Sequence, residues 1–335
     1  MKRFSAVLFI SIFIAFSITA FDNDTLLIRI TPRVGLLNGT INEYVFDDEN
    51  CKNTDHKVSQ LDWDVKNIPV LGLKAEVDFL RYIAISFDGS VGISKESGYM
   101  QDYDWRNSLA GIYKGVPRTW IGDDATELTD YSKHTNVLEK YMDLYISAGG
   151  NIYLPFNLKL TPFISYQYEF IHFAGKYGFG VYKQYDKSSA ITDYSSNNQV
   201  ISYLQETNAM FLGLSVKFDN IPHTNLSADF LVSPKMTFLN ALDYHYTRYF
   251  VCWDKHVNLW QLKGNIEADF KFNRHNKAGL SSSIQYIPVS RADTRAKDLL
   301  ADGTIEPGLW SAPSINGGGT SRLIWNISLN YSFSL

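Results

Sequence analysis

Two short motifs hold the residues with the clearest potential for catalysis. One residue separates Asp102 from Asp104, and one residue separates Asp243 from His245. In a β-strand, residues i and i+2 point to the same side, so each pair presents both side chains to one face. If the alternation of the strands beside them persists, both pairs face the interior and converge across one cleft.

A histidine among carboxylates is suited to activating water. His245 can take a proton from water near neutral pH, while Asp243 fixes its tautomer and stabilises the imidazolium. Asp102 and Asp104 can hold the water and keep the histidine basic. The predicted chemistry is hydrolysis without a covalent intermediate. Either motif alone is common in solvated turns and at strand ends, so the prediction depends on their combination.

Other catalytic motifs are missing from the sequence. It has no H-E-x-x-H, C-x-x-C or G-x-S-x-G motif. Its 7 histidines are scattered, which gives a zinc site little support. We therefore expect neither a metal ion nor a cofactor.

Alternating segments supply the elements that must position these residues. The clearest is the last segment, where apolar and aromatic residues occupy one parity from Leu323 to Leu335, while Asn and Ser occupy the other. This pattern is typical of a strand with one side in lipid and one side in a polar interior. The sequence predicts an all-β fold, a ten-stranded antiparallel transmembrane β-barrel extending above the outer membrane. The predicted strands are 26–36, 57–79, 83–94, 136–154, 158–174, 200–218, 225–246, 256–272, 276–290 and 323–335.

The predicted connections alternate in length. Short ones fall near 80–81, 155–156, 219–224 and 273–276, and long ones near 47–56, 95–135, 175–199, 247–255 and 291–317. Short turns on one side and long loops on the other are the rule for outer-membrane barrels. Segment 57–79 is longer than the about 9–11 residues that cross a membrane. The barrel should therefore rise above the outer surface and form a tall rim.

The polar parity predicts a lumen crowded with charge. Segment 57–79 keeps one parity throughout, and this places Lys74, Glu76 and Asp78 on the inner side. A barrel of ten strands is narrow, so we expect these charges to pair and plug it rather than to line a conducting pore.

Composition and the first residues agree with an exported protein. The net charge is −4, which leaves no basic surface for nucleic acid. Residues 1–20 read as a cleaved signal peptide, with Lys2 and Arg3 before an apolar core, so the barrel would occupy residues 21–335. In an oxidising compartment Cys51 and Cys252 could form a disulfide; two unpaired thiols are the alternative.

Four motifs in order resemble one known family. They are Lys57-Val58-Ser59-Gln60-Leu61-Asp62-Trp63, Asp102-x-Asp104-Trp105, Thr129-Asp130-x-Ser132-Lys133-His134 and Asp243-x-His245-Tyr246. The chain resembles the omptins, outer-membrane aspartyl-type endopeptidases of Gram-negative bacteria. The resemblance implies Asp243 and His245 as the dyad that activates water, with Asp102 and Asp104 opposite, facing the extracellular side.

The resemblance also implies how a substrate is bound. Omptins cleave polypeptides near basic residues, and Glu43 matches the position of a carboxylate beneath the basic P1 side chain. Glu43 also shares the odd parity of the polar residues before it, so it should face inward. Met100 and Ile201 match apolar positions of the same groove. Asp130 and His134 match loop positions near the cleft, where a purely structural role is equally compatible with the motif.

Two departures from the family pattern alter the expected specificity. Ala241 stands where omptins usually carry a second acid of the P1 pocket, so we expect a weaker or shifted preference for basic P1 residues. Omptins also need lipopolysaccharide bound by basic residues on the outer wall. The matching positions are Phe170 and Glu206, which cannot pair with a lipid phosphate, so that requirement is not carried over. Outer-membrane lipid remains an expected partner.

Two other functions compete with the endopeptidase. A catalytically silent barrel could serve as a surface adhesin or scaffold, and a barrel with an open lumen could be a solute pore. The presence of all four catalytic residues favours the enzyme, and the charged lumen argues against the pore.

Overall fold

The computed structural model describes residues 26–46, 57–105, 111–113, 116–118, 128–183, 189–314 and 317–335. All regular structure in them is β-strand. No helix in this part of the chain is long and apolar enough to span a membrane. The strands are β1 (Leu26–Phe46), β2 (Lys57–Phe79), β3 (Ile83–Gly92), β4 (Lys95–Asp104), β5 (Gly111–Tyr113), β6 (Val116–Arg118), β7 (Asp130–Gly150), β8 (Ile152–Leu154), β9 (Leu158–Lys183), β10 (Ser189–Asp193), β11 (Ile201–Ile221), β12 (Thr224–His245), β13 (Phe250–Lys271), β14 (Asn276–Asp298) and β15 (Gly317–Ser334).

Antiparallel pairing closes the long strands into a barrel. Strands β7, β9, β11, β12, β13, β14 and β15 pair in that order, each with the next. Strand β15 then pairs with β1 from Arg29↔Ser334 to Phe46↔Gly317. Strands β3 and β4 share one position, because both lie between β2 and β7. The ring thus has ten positions, which confirms the predicted ten-stranded barrel.

One end of the barrel has short turns, as predicted, but at the other end the strands extend further than predicted. Tight turns at 80–82, 155–157, 222–223 and 272–275 close the end that we call lower. Four of the predicted long loops are wrong in extent, since strand structure occupies 95–104 and 130–135, 175–183, 250–255 and 291–298. The predicted loop 47–56 lies outside the described residues. In these segments, which were predicted to be loops, the regular strands continue above the membrane.

The lower half is apolar outside and charged inside. Exposed apolar side chains such as Leu71, Phe87 and Leu329 cover its outer face, as a surface in lipid requires. Inside, Glu76 forms salt bridges with Arg29 (3.1 Å) and Lys217 (2.9 Å). Further pairs join Arg33 to Asp88, Lys159 to Asp78 and Lys263 to Asp143. These pairs cross the lumen, in agreement with a plugged barrel.

A buried polar network lies between this lumen and the upper half. The side chains of Arg322 and Glu169 form an ion pair with exposures of only 1% and 0%. Gln285 donates to Glu169 at 3.1 Å, and Gln205 accepts a hydrogen bond from Arg322. Each charge is thereby matched by a partner, as burial requires.

The inward face of β2 reverses halfway along the strand. Lys74 and Glu76 face the lumen, but above Asn67 the buried side chains are Trp63 (0% exposed) and its odd-numbered neighbours. Asn67 has φ 52° and forms a bulge against β1, which inserts one residue and exchanges the two faces. The prediction that segment 57–79 keeps one parity throughout is therefore wrong, and Asp62 and Asp64 lie on the outer face. Above the membrane the outside is water, so the apolar face must turn inward.

An apolar core fills the upper barrel below the rim. Trp63 stacks between Phe173 and Tyr203, with ring centroids 5.8 and 5.7 Å away. Met100 and Ile201 belong to the same buried cluster. This layer supports the groove above it.

Two predictions fall on parts of the chain that cannot be compared. The signal peptide, residues 1–20, lies outside the described residues, and so does Cys51. The disulfide between Cys51 and Cys252 therefore stays a prediction.

Candidate active site

Asp243 and His245 meet at the upper end of β12. The Nε2 atom of His245 is hydrogen-bonded to Oδ2 of Asp243. The carboxylate side chain is 5% exposed and the imidazole 14% exposed, so the ring reaches solvent while its partner is buried. The ring also stacks on Phe250 of β13, with centroids 4.3 Å apart. This contact and the hydrogen bond hold the imidazole in one orientation.

Asp102 and Asp104 lie at the upper end of β4, four ring positions away from β12. The hydroxyl of Ser59 on β2 donates to Oδ1 of Asp102 at 3.4 Å. Met100, two residues earlier on the same face, is 1% exposed and lies in the core. The predicted inward direction of this pair therefore agrees with the structure.

Arg248 links the two walls electrostatically. It lies in the turn between β12 and β13. Desolvation alone would lower the pKa of its guanidinium, but the charges of Asp102 and Asp104 outweigh that effect and raise it. The guanidinium of Arg248 in the turn beside the dyad therefore lies within electrostatic range of the opposing acids. Sequence reasoning missed Arg248 because it follows the motif inside a predicted loop.

Glu43 lies beneath the dyad. Its side chain points inward from β1, as predicted, and the residue is 3% exposed. Burial raises the pKa of its carboxyl well above the ordinary value, and the charges of Asp243 and Asp254 raise it further. The Oε2 atom of Glu43 and the Oδ1 atom of Asp243 are buried without a hydrogen-bond partner.

Asp254 is an acidic neighbour that sequence reasoning missed. It lies on β13 directly across from Ala241 of β12 and is 3% exposed. Burial raises the pKa of Asp254 to about 7, a hydrogen bond from Thr294 opposes that rise, and the charge of Asp243 adds to it. Asp254 was missed because residues 247–255 were predicted as a loop.

Apolar residues form the floor of the groove. A Cβ atom built on Gly175 of β9 would lie 2.7 Å from Ile201 and 3.5 Å from both Met100 and His134. The predicted groove residues Met100 and Ile201 therefore meet at one point, and a side chain at residue 175 would displace them.

Asp130 and His134 lie on β7 beside the acidic pair. Asp130 is opposite Asp104 in the strand register and is 4% exposed, with a 3.3 Å hydrogen bond from Thr129. The ring of His134 binds Ser132 at 3.1 Å and the carbonyl of Tyr177, and burial lowers its pKa. Both side chains are held inside the wall, although they were predicted in a loop.

Phe170 and Glu206 occupy the outer wall. They face each other across β9 and β11, on the outward parity of both strands. The inward neighbours Glu169 and Gln205 are fully buried.

Known proteins similar to this chain share its architecture and part of its sequence. Residues 25–311 match the model of the Omptin family. The plasminogen activator of Yersinia pestis is 26% identical over 190 residues, covering 56% of this chain and 54% of that protein. Outer membrane protease OmpP of Escherichia coli K12 is 25% identical over 194 residues, covering 56% and 55% of the two chains. The matched stretch thus spans about half the length of either relative.

A solved structure extends the likeness over the whole barrel. The crystal structure of the outer membrane protease OmpT from Escherichia coli aligns with a TM-score of 0.77 and 19% identity. The alignment covers 92% of this chain and 97% of that one. At this identity it supports the fold.

Proposed function

The chain belongs to the omptin family of outer-membrane β-barrels, and on this premise we propose that it is an endopeptidase that hydrolyses polypeptides at the cell surface. The hydrogen-bonded Asp243–His245 pair, partly open to solvent across a cleft from Asp102 and Asp104, is the observation that carries this proposal. Its mechanism is of the aspartyl type, with water as the nucleophile. No covalent intermediate forms.

His245 is the general base. Asp243 accepts the hydrogen bond from Nε2, which leaves Nδ1 to take a proton from water as the water attacks the scissile carbonyl. The buried carboxylate then stabilises the imidazolium that forms. The stacking of Phe250 on the ring limits its rotation, so the base stays aligned through the reaction.

Asp102 and Asp104 act from the opposite wall. They orient the attacking water, and their negative charge favours the protonated form of His245 once it has accepted the proton. Arg248 offsets part of this charge before a substrate binds. Glu43 beneath the dyad receives a basic P1 side chain, while Met100 and Ile201 contact the substrate from the groove floor and Asp130 supports the Asp104 wall.

The two alternative functions predict different observations. A pore requires an open lumen, and the ion pair between Arg322 and Glu169 lies in its path with almost no exposure. A silent scaffold would be expected to have lost the arrangement needed for catalysis. Among the described residues, Asp243 and His245 instead remain hydrogen-bonded to each other. The geometry therefore supports the enzyme.

Replacement of the base tests the proposal. In the full chain refolded in detergent, His245→Ala should lower kcat/KM for a fluorogenic peptide containing Arg-Arg by about 10²-fold or more. Asp243→Asn should lower it comparably, because the amide can leave the imidazole in the wrong tautomer.

His275→Ala is the matched control, since His275 lies in an exposed turn at the lower end of the barrel. It should keep wild-type activity, and all three variants should keep the heat-modifiable gel mobility of a folded barrel. A wild-type protein no more active than His245→Ala across a broad peptide library would contradict the endopeptidase and favour the scaffold.

A further inference from the structure

Two carboxyl groups from other strands approach Asp243 of the dyad, which makes a cluster of three. Glu43 of β1, Asp243 of β12 and Asp254 of β13 are each at most 4% exposed. The charges of Asp243 and Asp254 act on Glu43, and the charge of Asp243 acts on Asp254. The largest electrostatic influences on Glu43 and Asp254 are therefore negative, so this cluster is not a neutralised structural ion pair.

Unpartnered oxygen atoms indicate that the cluster is built for a ligand. The Oε2 atom of Glu43 and Oδ1 of Asp243 are buried and receive no hydrogen bond from any other residue, and the two carboxyl groups interact directly with each other. Holding two acidic groups together without an outside donor costs free energy, and a cation that donates to them removes that cost. The lumen network below differs in charge rather than in hydrogen bonding, because Glu169 also has a buried oxygen atom without a hydrogen-bond partner but forms an ion pair with Arg322.

Asp254 is held in place by neighbours that fit its carboxyl. Thr294 of β14 donates to Oδ1 of Asp254 and accepts a hydrogen bond from the backbone N–H of Gly318 on β15. A Cβ atom at residue 318 would lie 2.3 Å from the same carboxyl oxygen. The carboxyl is therefore oriented from one side and given space from the other.

We propose that Asp254 is a specificity-determining residue, which together with Glu43 binds the guanidinium or ammonium group of a basic substrate side chain. This inference rests on the proposed function and deepens it. The acid missing at Ala241 is supplied by the residue directly across the strand pair. The weakened preference for basic residues expected from Ala241 is replaced by a strong one.

A long cationic side chain fits these observations better than a metal ion. Among the described residues no group of three or more His, Cys, Asp or Glu side chains could hold a metal ion. A guanidinium presents several donors in a planar fork and can satisfy two separate carboxylates at once. A side chain that enters from the cleft also passes Asp243, so binding would position the peptide beside the dyad.

Binding of two peptides that differ only in charge tests the proposal. The peptides carry Arg or citrulline at the residue before the cleavage site, and each is labelled with a fluorophore. They are titrated against the refolded full chain with His245→Ala, which prevents cleavage, and the ratio of the two Kd values is measured by anisotropy. We expect strong selectivity for Arg, and a loss of about 10-fold or more when Asp254→Asn is added.

The controls separate charge recognition from folding. Asp293→Asn makes the same substitution at an exposed residue of the neighbouring strand β14, and it should leave the ratio unchanged. Moving the acid across the strand pair, with Ala241→Asp and Asp254→Ala combined, should restore selectivity for Arg. A merely structural Asp254 would not be rescued in this way.

The outcome distinguishes this inference from the proposed function. An Arg-to-citrulline ratio unaffected by Asp254→Asn, or failure of the relocated acid to restore it, overturns the role of Asp254 even if the wild-type protein cleaves peptides. Absence of cleavage by the wild-type protein overturns the enzyme, whereas selective binding that depends on Asp254 would still support the subsite.

Discussion

Protonation of Asp254 determines when its subsite can attract a cation. The titratable groups around Asp254 are Glu43 of β1, Tyr203 of β11, Asp243 of β12 and, on its own strand, Cys252 and His256. Burial lowers the pKa of His256 to about 3 and raises that of the Cys252 thiol, so both are neutral near pH 7. Burial raises the pKa of Asp254 itself to about 7. A carboxyl whose pKa is raised by folding favours the folded state at low pH, and this contribution is lost as pH rises through about 7.

Selectivity for Arg should therefore increase with pH. Between about pH 6 and pH 8, Asp254 loses its proton, and the ratio of kcat/KM for the Arg peptide over the citrulline peptide should rise. A group whose titration changes the rates for both peptides equally cancels in the ratio. Rates for both peptides, measured across this range in the wild-type enzyme and in Asp254→Asn, check the expectation.

The variant provides the contrast. In Asp254→Asn the ratio should be low and nearly independent of pH over the same range. A rise of equal size in both proteins would assign the titration to another group, with Glu43 as the first candidate because its pKa is also raised.

Bulges decide which side chains of each strand reach the site. Asn258 of β13 has φ 58° and lies where the register against β12 shifts by one residue. Below it, odd residues such as Gln261 face inward, and above it the inward residues are Asp254 and His256. One inserted residue thus turns Asp254 from the outer wall to the site.

This explains how much of the site could be predicted from the sequence. The inward direction of Asp243 and His245 was predicted by continuing the alternation of the lower part of β12, and it was correct. The strand carries two extra residues near Lys235, and two insertions leave the alternation unchanged. In β2 and β13 a single insertion reverses it. Asn67 and Asn258 do not differ in type from other polar strand residues, so local sequence could indicate neither reversal nor the position of Asp254.

The ten strands themselves could be predicted because lipid imposes a strict alternation on the lower half. Above the membrane that constraint ends, and the structure continues strands where the sequence predicted loops, as in Lys95–Asp104. The inward direction of Glu43 was correctly predicted from the parity of its strand, but the resemblance could not supply Asp254 as the substitute for an acid at residue 241.

The backbone at Asn258 makes the bulge testable. Its left-handed conformation is accessible to Asn and Gly but strained for a β-branched residue. Asn258→Val should lower the free energy of unfolding by about 1–2 kcal/mol. It should also reduce selectivity for Arg, because relief of the strain disturbs the orientation of Asp254. Urea unfolding in detergent and the Arg-to-citrulline ratio measure the two effects.

Asn258→Gly is the control, since glycine adopts the same conformation without strain. It should keep both stability and selectivity. Wild-type behaviour of Asn258→Val in both measurements would show that the bulge does not determine the direction of Asp254.

At the scale of the whole molecule, one barrel is built for two solvents. The lower half presents apolar side chains to lipid and pairs its charges inside, while the upper half buries Trp63 and its neighbours inside and turns Asp62 and Asp64 to water. The Arg322–Glu169 layer separates the two interiors. The groove therefore has a closely packed floor, and the Arg322–Glu169 layer separates it from the lumen below.

The outer wall of the barrel lacks basic residues at Phe170 and Glu206, so we expect the protein to cleave peptides without lipopolysaccharide. Phe170 carries no charge, and Glu206 beside it would repel a lipid phosphate. The full chain refolded in detergent free of lipopolysaccharide should cleave an Arg peptide at a rate within about 3-fold of that measured after the lipid is added. Phe170→Arg combined with Glu206→Lys supplies two cations at the same place and should create a response to the lipid. An increase of about 10-fold or more in the unaltered protein would mean that the lipid binds elsewhere on the wall and is needed to order the groove.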